Sequence, residues 1–121
     1  MTTSIGHTTA IRAKTVIGTN VKNRQGRKIG EVEDIVLDKD SNAIMFAVVS
    51  FGGFLGIGEK YHPLPWASLD YDEKDNGYVV DVTEDQLRAA PTGSIDELTR
   101  NGGNAFRDKT YRYYKVNPYW H

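Results

Sequence analysis

The fold of this chain is decided by the stretch KIGEVEDIVLDKDSNAIMFAVVSF, which runs from Lys28 to Phe51. Its first part is rich in β-branched residues and ends at the polar turn Lys39–Asn42, a pattern typical of a β-strand. Its second part is apolar at both odd and even positions, so we expect a strand with both faces covered. The covering element is either the C-terminal tail or a second copy of the chain.

The first of these strands changes the phase of its apolar residues. Strict alternation keeps one parity, but Ile29 is followed by Val32 and then by Ile35. One extra residue near Glu33 or Asp34, a β-bulge, would restore the inward face. Bulges suit the strong bends of a small barrel. The phase change therefore predicts a bulge at this point of the strand.

Turn signals and short apolar runs extend the β pattern on both sides. Turns are predicted at Asn23–Gly26 and Asn76–Gly77, because glycine adopts a positive φ without a Cβ penalty. Further strands are predicted over Trp66–Tyr71 and Tyr78–Val82. Five or six short strands at intervals of roughly ten residues indicate a small barrel or sandwich.

Helical signals begin only after the last predicted strand. Thr83–Gln86 and Ser94–Glu97 both fit a capping box, in which two side chains satisfy free backbone donors at a helix start. Pro91 ends the first of these helices, and Asn101–Asn104 is a flexible break. We therefore expect one domain over residues 10–90 and an extension over 91–121 that packs on the barrel or on a partner.

The glycine-rich stretch FGGFLGIGEKYHPLPW, from Phe51 to Trp66, does not fit a nucleotide site. The spacing from Gly53 to Gly58 fits a phosphate loop, but Glu59 stands where the lysine is required. His62–Pro63 prevents the helix whose N-terminus would face the phosphate. We interpret the stretch as a turn between two strands. Three apolar residues lie at or near its tip: Phe54, Leu55 and Ile57.

Several elements in one order make the chain resemble the PRC-barrel domain. They are the G-x-K-I-G-x-V-x-D run from Gly26 to Asp34, the long apolar strand, the GGFLGIG loop and the step Pro65-Trp66. The similarity covers roughly Ile11 to Ala90. The ending Pro118–Trp120 is similar to the tails of stand-alone bacterial members.

This resemblance implies an all-β fold: a small six-stranded antiparallel barrel, followed here by short C-terminal helical pieces and an aromatic tail. The domain occurs in the cytoplasmic part of the photosynthetic reaction centre H subunit and at the C-terminus of the ribosome maturation factor RimM. The resemblance therefore implies a binding or regulatory module rather than a catalyst, without a cofactor. Its settings are electron transfer, ribosome assembly and stress-related proteins.

Composition limits the remaining classes of function. The 121 residues predict one domain with a short appendage, and the absence of cysteine excludes a disulfide framework and a thiolate nucleophile. That absence fits a cytoplasmic location. No apolar run approaches the roughly 20 residues of a spanning helix, and the start lacks the apolar core of a secretion signal, so we expect no membrane insertion. The net charge of -1 argues against strong general binding to nucleic acid.

Candidate catalytic and metal-binding side chains form no recognisable motif. The three histidines are far apart in the sequence and predict no metal site: His7, His62 and His121. We expect His62 to be an edge-strand side chain. Glu31 and Glu33 are candidates for an acid/base pair but fit ordinary exposed acids equally, while Asp34 is expected to bind turn amides.

The turn after the first long strand has a spacing of oxygen ligands that resembles a calcium loop. Asp38, Asp40 and Asn42 alternate as in such a loop, but the glycine and the distant glutamate that complete it are absent. We therefore interpret these residues as a polar turn.

The C-terminal tail RDKTYRYYKVNPYWH alternates cations with aromatic residues. Such a pattern can stack single-stranded RNA bases and neutralise phosphates. The candidate RNA-binding residues are Arg107, Lys109, Arg112 and Lys115. The alternative is an extra edge strand in which Tyr111 and Tyr113 face the barrel and the cations face outward.

The sequence thus predicts a non-catalytic protein–protein interaction or scaffolding module that self-associates, as a homodimer. Apolar side chains exposed on one loop lower solubility unless they are covered. The candidate partner-binding residues are Phe51, Phe54, Leu55, Ile57, Tyr111, Tyr113, Tyr114 and Trp120. The second hypothesis is an RNA- or ribosome-associated assembly factor, and the third is an enzyme that uses a carboxylate at the barrel mouth.

Overall fold

The computed structural model describes residues 10–52 and 61–120. Within these ranges six strands form one sheet: β1 (Asn20–Lys22), β2 (Lys28–Leu37), β3 (Ile44–Phe51), β4 (His62–Leu64), β5 (Asp70–Asp72) and β6 (Gly77–Val79). The helices are α1 (Ala13–Val16), α2 (Glu84–Ala89), α3 (Ile95–Thr99) and α4 (Asn104–Tyr114), with 3₁₀ turns at Trp66–Ser68 and Arg100–Gly103. The predicted number of strands is confirmed for this part of the chain. The expectation of an all-β fold is too narrow, because three helices, α2, α3 and α4, follow the last described strand. None of the described helices has the length and apolar character to cross a bilayer.

The sheet is mixed, not antiparallel throughout as predicted. Its strand order is β4-β3-β2-β1-β6-β5, and β1 pairs with β6 in parallel through Val21 and Tyr78. The reason lies in the link between β4 and β5. A 3₁₀ turn over Trp66–Ser68 occupies the first half of the predicted strand Trp66–Tyr71. After this turn the chain continues at the opposite edge of the sheet. There β5 runs in the same direction as β4, whereas a hairpin would reverse the strand direction.

The edges of the sheet are β4 and β5. No pairing between these two strands is present in the described ranges, so the sheet stays open there and the predicted closed barrel is not observed. The edge strands are only three residues long. Short edge strands limit pairing with other chains.

The hairpin of β2 and β3 contains two bulges that bend it. Val32 pairs with Val49 and Asp34 with Val48, so Glu33 is the extra residue of β2. This bulge is where the phase change predicted it. A second bulge makes Met45 the extra residue of β3. Bulges increase the local twist of a strand pair, and they curve this hairpin around the core.

The predicted turns follow the backbone chemistry of their residues. Gly26 has a φ of +83°, Asn42 of +64° and Asn76 of +51°. These values lie in the left-handed region, which glycine and asparagine adopt most readily. In the first turn the Asn23 side chain accepts bonds from the N–H groups of Gln25 and Arg27. The turns at Asn23–Gly26, Lys39–Asn42 and Asn76–Gly77 are thus confirmed.

Both faces of β3 are buried, in two separate clusters. The larger cluster includes Ala47, Val49 and Phe51 and extends to β1, β6 and Leu87 of α2. The smaller cluster consists of Met45, Phe46, Val48 and Leu98, with Phe106 packed against it. Leu98 belongs to α3 and Phe106 to α4. The second face of β3 is therefore covered by the C-terminal helices of its own chain.

Both predicted capping boxes are confirmed. The Thr83 hydroxyl accepts from the Gln86 N–H at 3.1 Å, and the Gln86 side chain accepts from the Thr83 N–H at 2.8 Å. Ser94 and Glu97 make the same pair of bonds at the start of α3. As predicted, α2 ends just before Pro91.

Candidate partner-binding surface

The tail that sequence alternation assigned to an edge strand is a helix, so that prediction is wrong. The alternating run covers only a few residues, whereas Phe106, Thr110 and Tyr114 repeat every fourth position. That period places them on one face of a helix, and this face is turned toward the sheet. The helix α4 ends at Tyr114, and the next residue, Lys115, has a φ of +58°.

The inward side of α4 is fixed by a tyrosine hydroxyl. Tyr111 donates to the carbonyl oxygen of Met45 at 2.8 Å. Met45 is the bulge residue of β3, so the helix binds the sheet where the strand pairing is interrupted. The neighbouring Thr110 is fully buried, and burial raises the pKa of the Tyr114 hydroxyl. Of the three predicted site tyrosines on α4, Tyr111 is buried, whereas Tyr113 and Tyr114 are half-buried.

Tyr113 ties α4 to α2. Its hydroxyl donates to the carbonyl oxygen of Gln86 at 2.5 Å, and its ring meets that of Tyr114 edge-on with centroids 5.0 Å apart. Both tyrosine rings are thereby held in place. The hydrogen bond thus links the first turn of α2 to the last turn of α4.

The chain beyond α4 turns back and is held by Asp38. The Tyr119 hydroxyl donates to Asp38 Oδ2 at 2.6 Å, and the Arg107 guanidinium lies 3.9 Å from the same oxygen. The hydroxyl of Tyr119 is the main cause that lowers the pKa of Asp38, with backbone N–H groups and Arg107 adding to it. Burial, and then the bond to Asp38, raises the pKa of Tyr119.

Trp120 completes this anchor. Its ring lies 3.9 Å from the guanidinium carbon of Arg107, a cation–π contact. Tyr111 meets Trp120 edge-on at 4.8 Å and Tyr119 at 5.8 Å between centroids. We call Asp38, Arg107, Tyr111, Tyr119 and Trp120 the tail anchor. In this structure the aromatic tail packs on its own chain, and Arg107, a candidate RNA-binding residue, is an internal partner of that packing.

The other three candidate RNA-binding cations form the outward side of α4 and its end. Lys109, Arg112 and Lys115 are exposed and follow one another at intervals of three residues. Within the described chain, neither Arg112 nor Lys115 makes an ion pair, and the Lys109 ammonium lies 5.0 Å from the centre of the Phe106 ring. The acidic neighbour Asp108 is paired with Arg107 at 3.0 Å. This leaves a net positive ridge on the surface.

A shallow groove runs beside this ridge. Small apolar residues at the end of α2 form one side, and α4 forms the other. The groove is lined by Ala89, Ala90, Pro91, Lys109, Arg112 and Tyr113. A second depression on the opposite flank includes Arg112, Lys115 and Trp120. Arg112 therefore borders both. We call the first of them the α2–α4 groove.

The remaining predicted partner-binding residues belong to the glycine-rich turn. Phe51 is buried in the larger core cluster and meets His62 edge-on at 5.0 Å. Phe54, Leu55 and Ile57 lie outside the described residues. The interpretation of Gly53–Lys60 as a turn rather than a phosphate loop falls on the same undescribed residues, and it stays a prediction.

His62 is on the edge strand β4 as expected, but its side chain is fully buried. Its Nε2 lies 2.9 Å from the carbonyl oxygen of Leu87. Nε2 therefore carries the proton and donates, whereas Nδ1 has no partner in the described chain. Burial lowers the pKa of His62, since a charged imidazole would lose its hydration.

The carboxylates that were candidates for acid/base work are at the surface. Glu31 is half-buried and pairs with Lys28 at 3.2 Å. Glu33 and Asp34 are exposed, and Asp34 accepts from the N–H of Ile35 rather than from a turn. The residues at 10–52 and 61–120 contain no group of three side chains placed to hold a metal ion.

Sequence reasoning missed the role of Asp38 and the α2–α4 groove. Asp38 does form the polar turn that was predicted, accepting from the N–H of Asp40 at 2.9 Å. Its hydrogen bond with Tyr119 joins residues 81 positions apart, and a local sequence pattern cannot predict such a contact. The four-residue period from Phe106 to Tyr114 was a usable signal for α4, and α4 is what creates the groove.

Comparison with known families agrees with the resemblance seen in the sequence. The family model described as PRC-barrel domain matches residues 8–87, about two-thirds of the chain. The match ends within α2, so α3, α4 and all residues of the tail anchor except Asp38 lie beyond it. Among curated proteins, none matches the chain.

Proposed function

Since the chain belongs to the PRC-barrel domain family, we propose that it is a non-catalytic module that binds another protein. The observation that carries this proposal is the α2–α4 groove. It combines an apolar floor with exposed cations that have no ion-pair partner in the described chain. Protein-binding surfaces typically join an apolar centre to a polar rim in this manner.

The packing of the tail's aromatic rings supports a protein partner over RNA, which is the second candidate. Stacking of single-stranded bases needs open aromatic faces beside the cations. In the tail the rings of Tyr111, Tyr119 and Trp120 pack on one another, and Tyr114 packs on the core. Tyr113 alone among the tail tyrosines borders the groove. The cations Lys109, Arg112 and Lys115 support RNA binding by charge, but most of the aromatic rings that base stacking requires pack against other groups of the chain.

Site-specific photo-cross-linking in a lysate of the source cells tests the proposal. A benzoylphenylalanine is placed at the exposed position 105, one turn before Lys109 on α4, and in a matched control at the exposed position 14 of α1. We expect a protein adduct at position 105 that is absent at position 14. Adducts that ribonuclease removes, or no adduct at position 105, would contradict a protein-binding function.

Self-association through the glycine-rich turn is a separate part of the proposed function. It rests on the apolar residues Phe54, Leu55 and Ile57 of the sequence. Sedimentation of the wild type at high micromolar concentration should show a dimer, and replacing all three residues with serine should give a monomer. A wild-type monomer under these conditions would contradict self-association while leaving the α2–α4 groove untouched.

A further inference from the structure

We propose that the α2–α4 groove binds an acidic segment of a different protein. Two carboxylates of that segment pair with Lys109 and Arg112, and an apolar side chain between them lies on the floor formed by Ala89, Ala90 and Pro91. The inference rests on the proposed function and names the class of partner that the groove accepts.

The charge of the groove is the first step. Lys109 and Arg112 are three positions apart on α4, which separates them by about 4.5 Å along the helix axis. Both side chains therefore point to the same side. Neither makes an ion pair in the described chain, and the nearby Asp108 is engaged by Arg107 at 3.0 Å. The groove thus offers two adjacent positive groups with no carboxylate of its own among its lining residues.

The floor of the groove is the second step. Ala89, Ala90 and Pro91 present small apolar surfaces, and proline has no backbone N–H to leave unsatisfied when water is displaced. Tyr113 lines the groove from α4, and its hydroxyl donates to the Gln86 carbonyl oxygen at 2.5 Å. Because this ring is already fixed, binding does not have to order it. An apolar side chain fits here better than a polar one.

Three acids of the chain's own surface are held in internal ion pairs, which makes them poor ligands for the groove of a second copy. Asp75 is bound by Lys22 at 2.6 Å, Asp70 lies 3.4 Å from Arg24, and Glu84 lies 3.3 Å from Arg88. A copy that offered these carboxylates to Lys109 and Arg112 would first have to give up its internal pairs. A partner with unpaired carboxylates has no such cost.

The geometry of the two cations indicates how the partner's carboxylates are spaced. Positions i and i+2 of an extended segment are roughly 6.6 Å apart, and positions i and i+3 or i+4 of a helix are about 5–6 Å apart. Either spacing brings two carboxylates onto Lys109 and Arg112. An extended segment also places residue i+1 on the opposite side of the segment, whereas a helix leaves its apolar face available to the floor. We therefore expect a helical segment with acids one turn apart beside an apolar residue.

Selection from a randomised twelve-residue peptide display library tests the inference on the full chain. The wild type is compared with K109E/R112E, which reverses both cations, and with K14E/K39E, which makes the same change of net charge at exposed positions elsewhere. We expect wild type and K14E/K39E to select peptides rich in Asp or Glu around an apolar residue. Binding of a selected peptide to K109E/R112E should be weaker by about tenfold or more, with circular dichroism confirming that the variant is folded.

Each other outcome overturns the inference. It fails if the selected peptides are neutral or basic, if no peptide is selected, or if K14E/K39E loses binding as K109E/R112E does. It also fails if a labelled uridine ten-mer binds the wild type more tightly than the best peptide and K109E/R112E loses it. Failure here together with protein adducts at position 105 leaves the proposed function standing. Failure of both experiments would contradict both the proposed function and the acidic partner segment.

Discussion

Asp38 shows how one side chain joins a local turn to a distant part of the chain. One carboxylate oxygen accepts from the N–H of Asp40 and completes the β2–β3 turn, and the other accepts from Tyr119 near the C-terminus. A carboxylate that accepts several hydrogen bonds is held in its charged form. In the turn whose spacing resembles a calcium loop, the Asp38 side chain therefore serves as a hydrogen-bond acceptor.

Replacing Tyr119 with phenylalanine tests the tail anchor. We expect a lower urea midpoint at pH 7, because Asp38 loses its strongest partner. The folded-state pKa of Asp38 lies below the unfolded value of about 3.9. The stabilisation is therefore complete above that value and is lost as the pH falls through the lower folded-state pKa. The difference in urea midpoint between wild type and Y119F should therefore become smaller as the pH falls.

Tyr71 supplies the control for this change. Its hydroxyl also donates to a side-chain oxygen, that of Asn76 at 3.2 Å, but at an exposed site where water can replace it. Y71F should therefore leave the urea midpoint almost unchanged. Equal losses in Y71F and Y119F, or a loss in Y119F that does not decrease toward acid pH, would contradict the role given to Asp38.

His62 makes stability depend on pH near neutrality. Burial lowers its folded-state pKa, so below about pH 6.5 the unfolded chain binds a proton that the folded chain does not. The free energy of unfolding should therefore decrease as the pH falls below about 6.5, by at most roughly 1.4 kcal/mol per pH unit for this one proton. The decrease should end at the lower folded-state pKa.

Urea unfolding between pH 8 and pH 5 measures this dependence. H62Q should lose the contribution that begins near pH 6.5, whatever its absolute stability. The control is H7Q/H121Q, which removes the other two histidines and should keep the wild-type slope. If the free energy of unfolding of H62Q depends on pH as steeply as that of the wild type, the pH dependence does not come from His62.

The helix α4 has two sides with different structural roles. Its inner side covers the second face of β3 through Phe106 and the bond from Tyr111 to Met45. Its outer side presents Lys109 and Arg112 to the α2–α4 groove. The same helix therefore completes the core and carries the candidate surface, so the position of the surface depends on the packing of the inner side.

Y111F tests the link between helix and sheet. The change leaves the Met45 carbonyl without its donor in a buried place, and we expect a loss of about 1–3 kcal/mol in the free energy of unfolding. Y113F removes a tyrosine–carbonyl bond at the rim, where water can substitute, and should cost less. Chemical denaturation compares the two. Equal or reversed losses would contradict the buried anchor.

The glycine of β2 that faces β3 permits a close approach of the two strands. A Cβ at Gly30 would overlap the carbonyl oxygen of Ser50 and lie 2.9 Å from a ring carbon of Phe51. G30A should therefore cost about 1–3 kcal/mol in the free energy of unfolding, because the hairpin must separate locally. The control is G52A, whose added Cβ meets no heavy atom of the described residues within 4 Å. If G30A unfolds at the same denaturant concentration as G52A, the close approach is wrong.

Over the whole molecule, the features that sequence predicted are local ones. The turns at Asn23–Gly26 and Asn76–Gly77, the bulge at Glu33 and both capping boxes each depend on residues close together in the chain. Their chemistry can be read from a few neighbouring letters.

The features that sequence did not predict depend on distant segments. The parallel pairing of β1 with β6 joins Val21 to Tyr78, and the tail anchor joins Asp38 to Tyr119. In the tail the run TYRYYKV alternates over seven residues, which favours a strand. The four-residue repeat of Phe106, Thr110 and Tyr114 favours a helix instead, and packing against the sheet stabilises that helix. The candidate surface is built from these long-range pairings, so it became visible only in the folded chain.

Hydrogen–deuterium exchange of the full chain tests most directly that the C-terminal extension is part of this fold. We expect the amides of residues 108–113 in α4 to exchange slowly and together with those of β3, because the helix covers that strand. Exchange of these helical amides at the rate of an unstructured peptide, while β3 stays protected, would show that the extension does not pack on the sheet and that the α2–α4 groove does not exist.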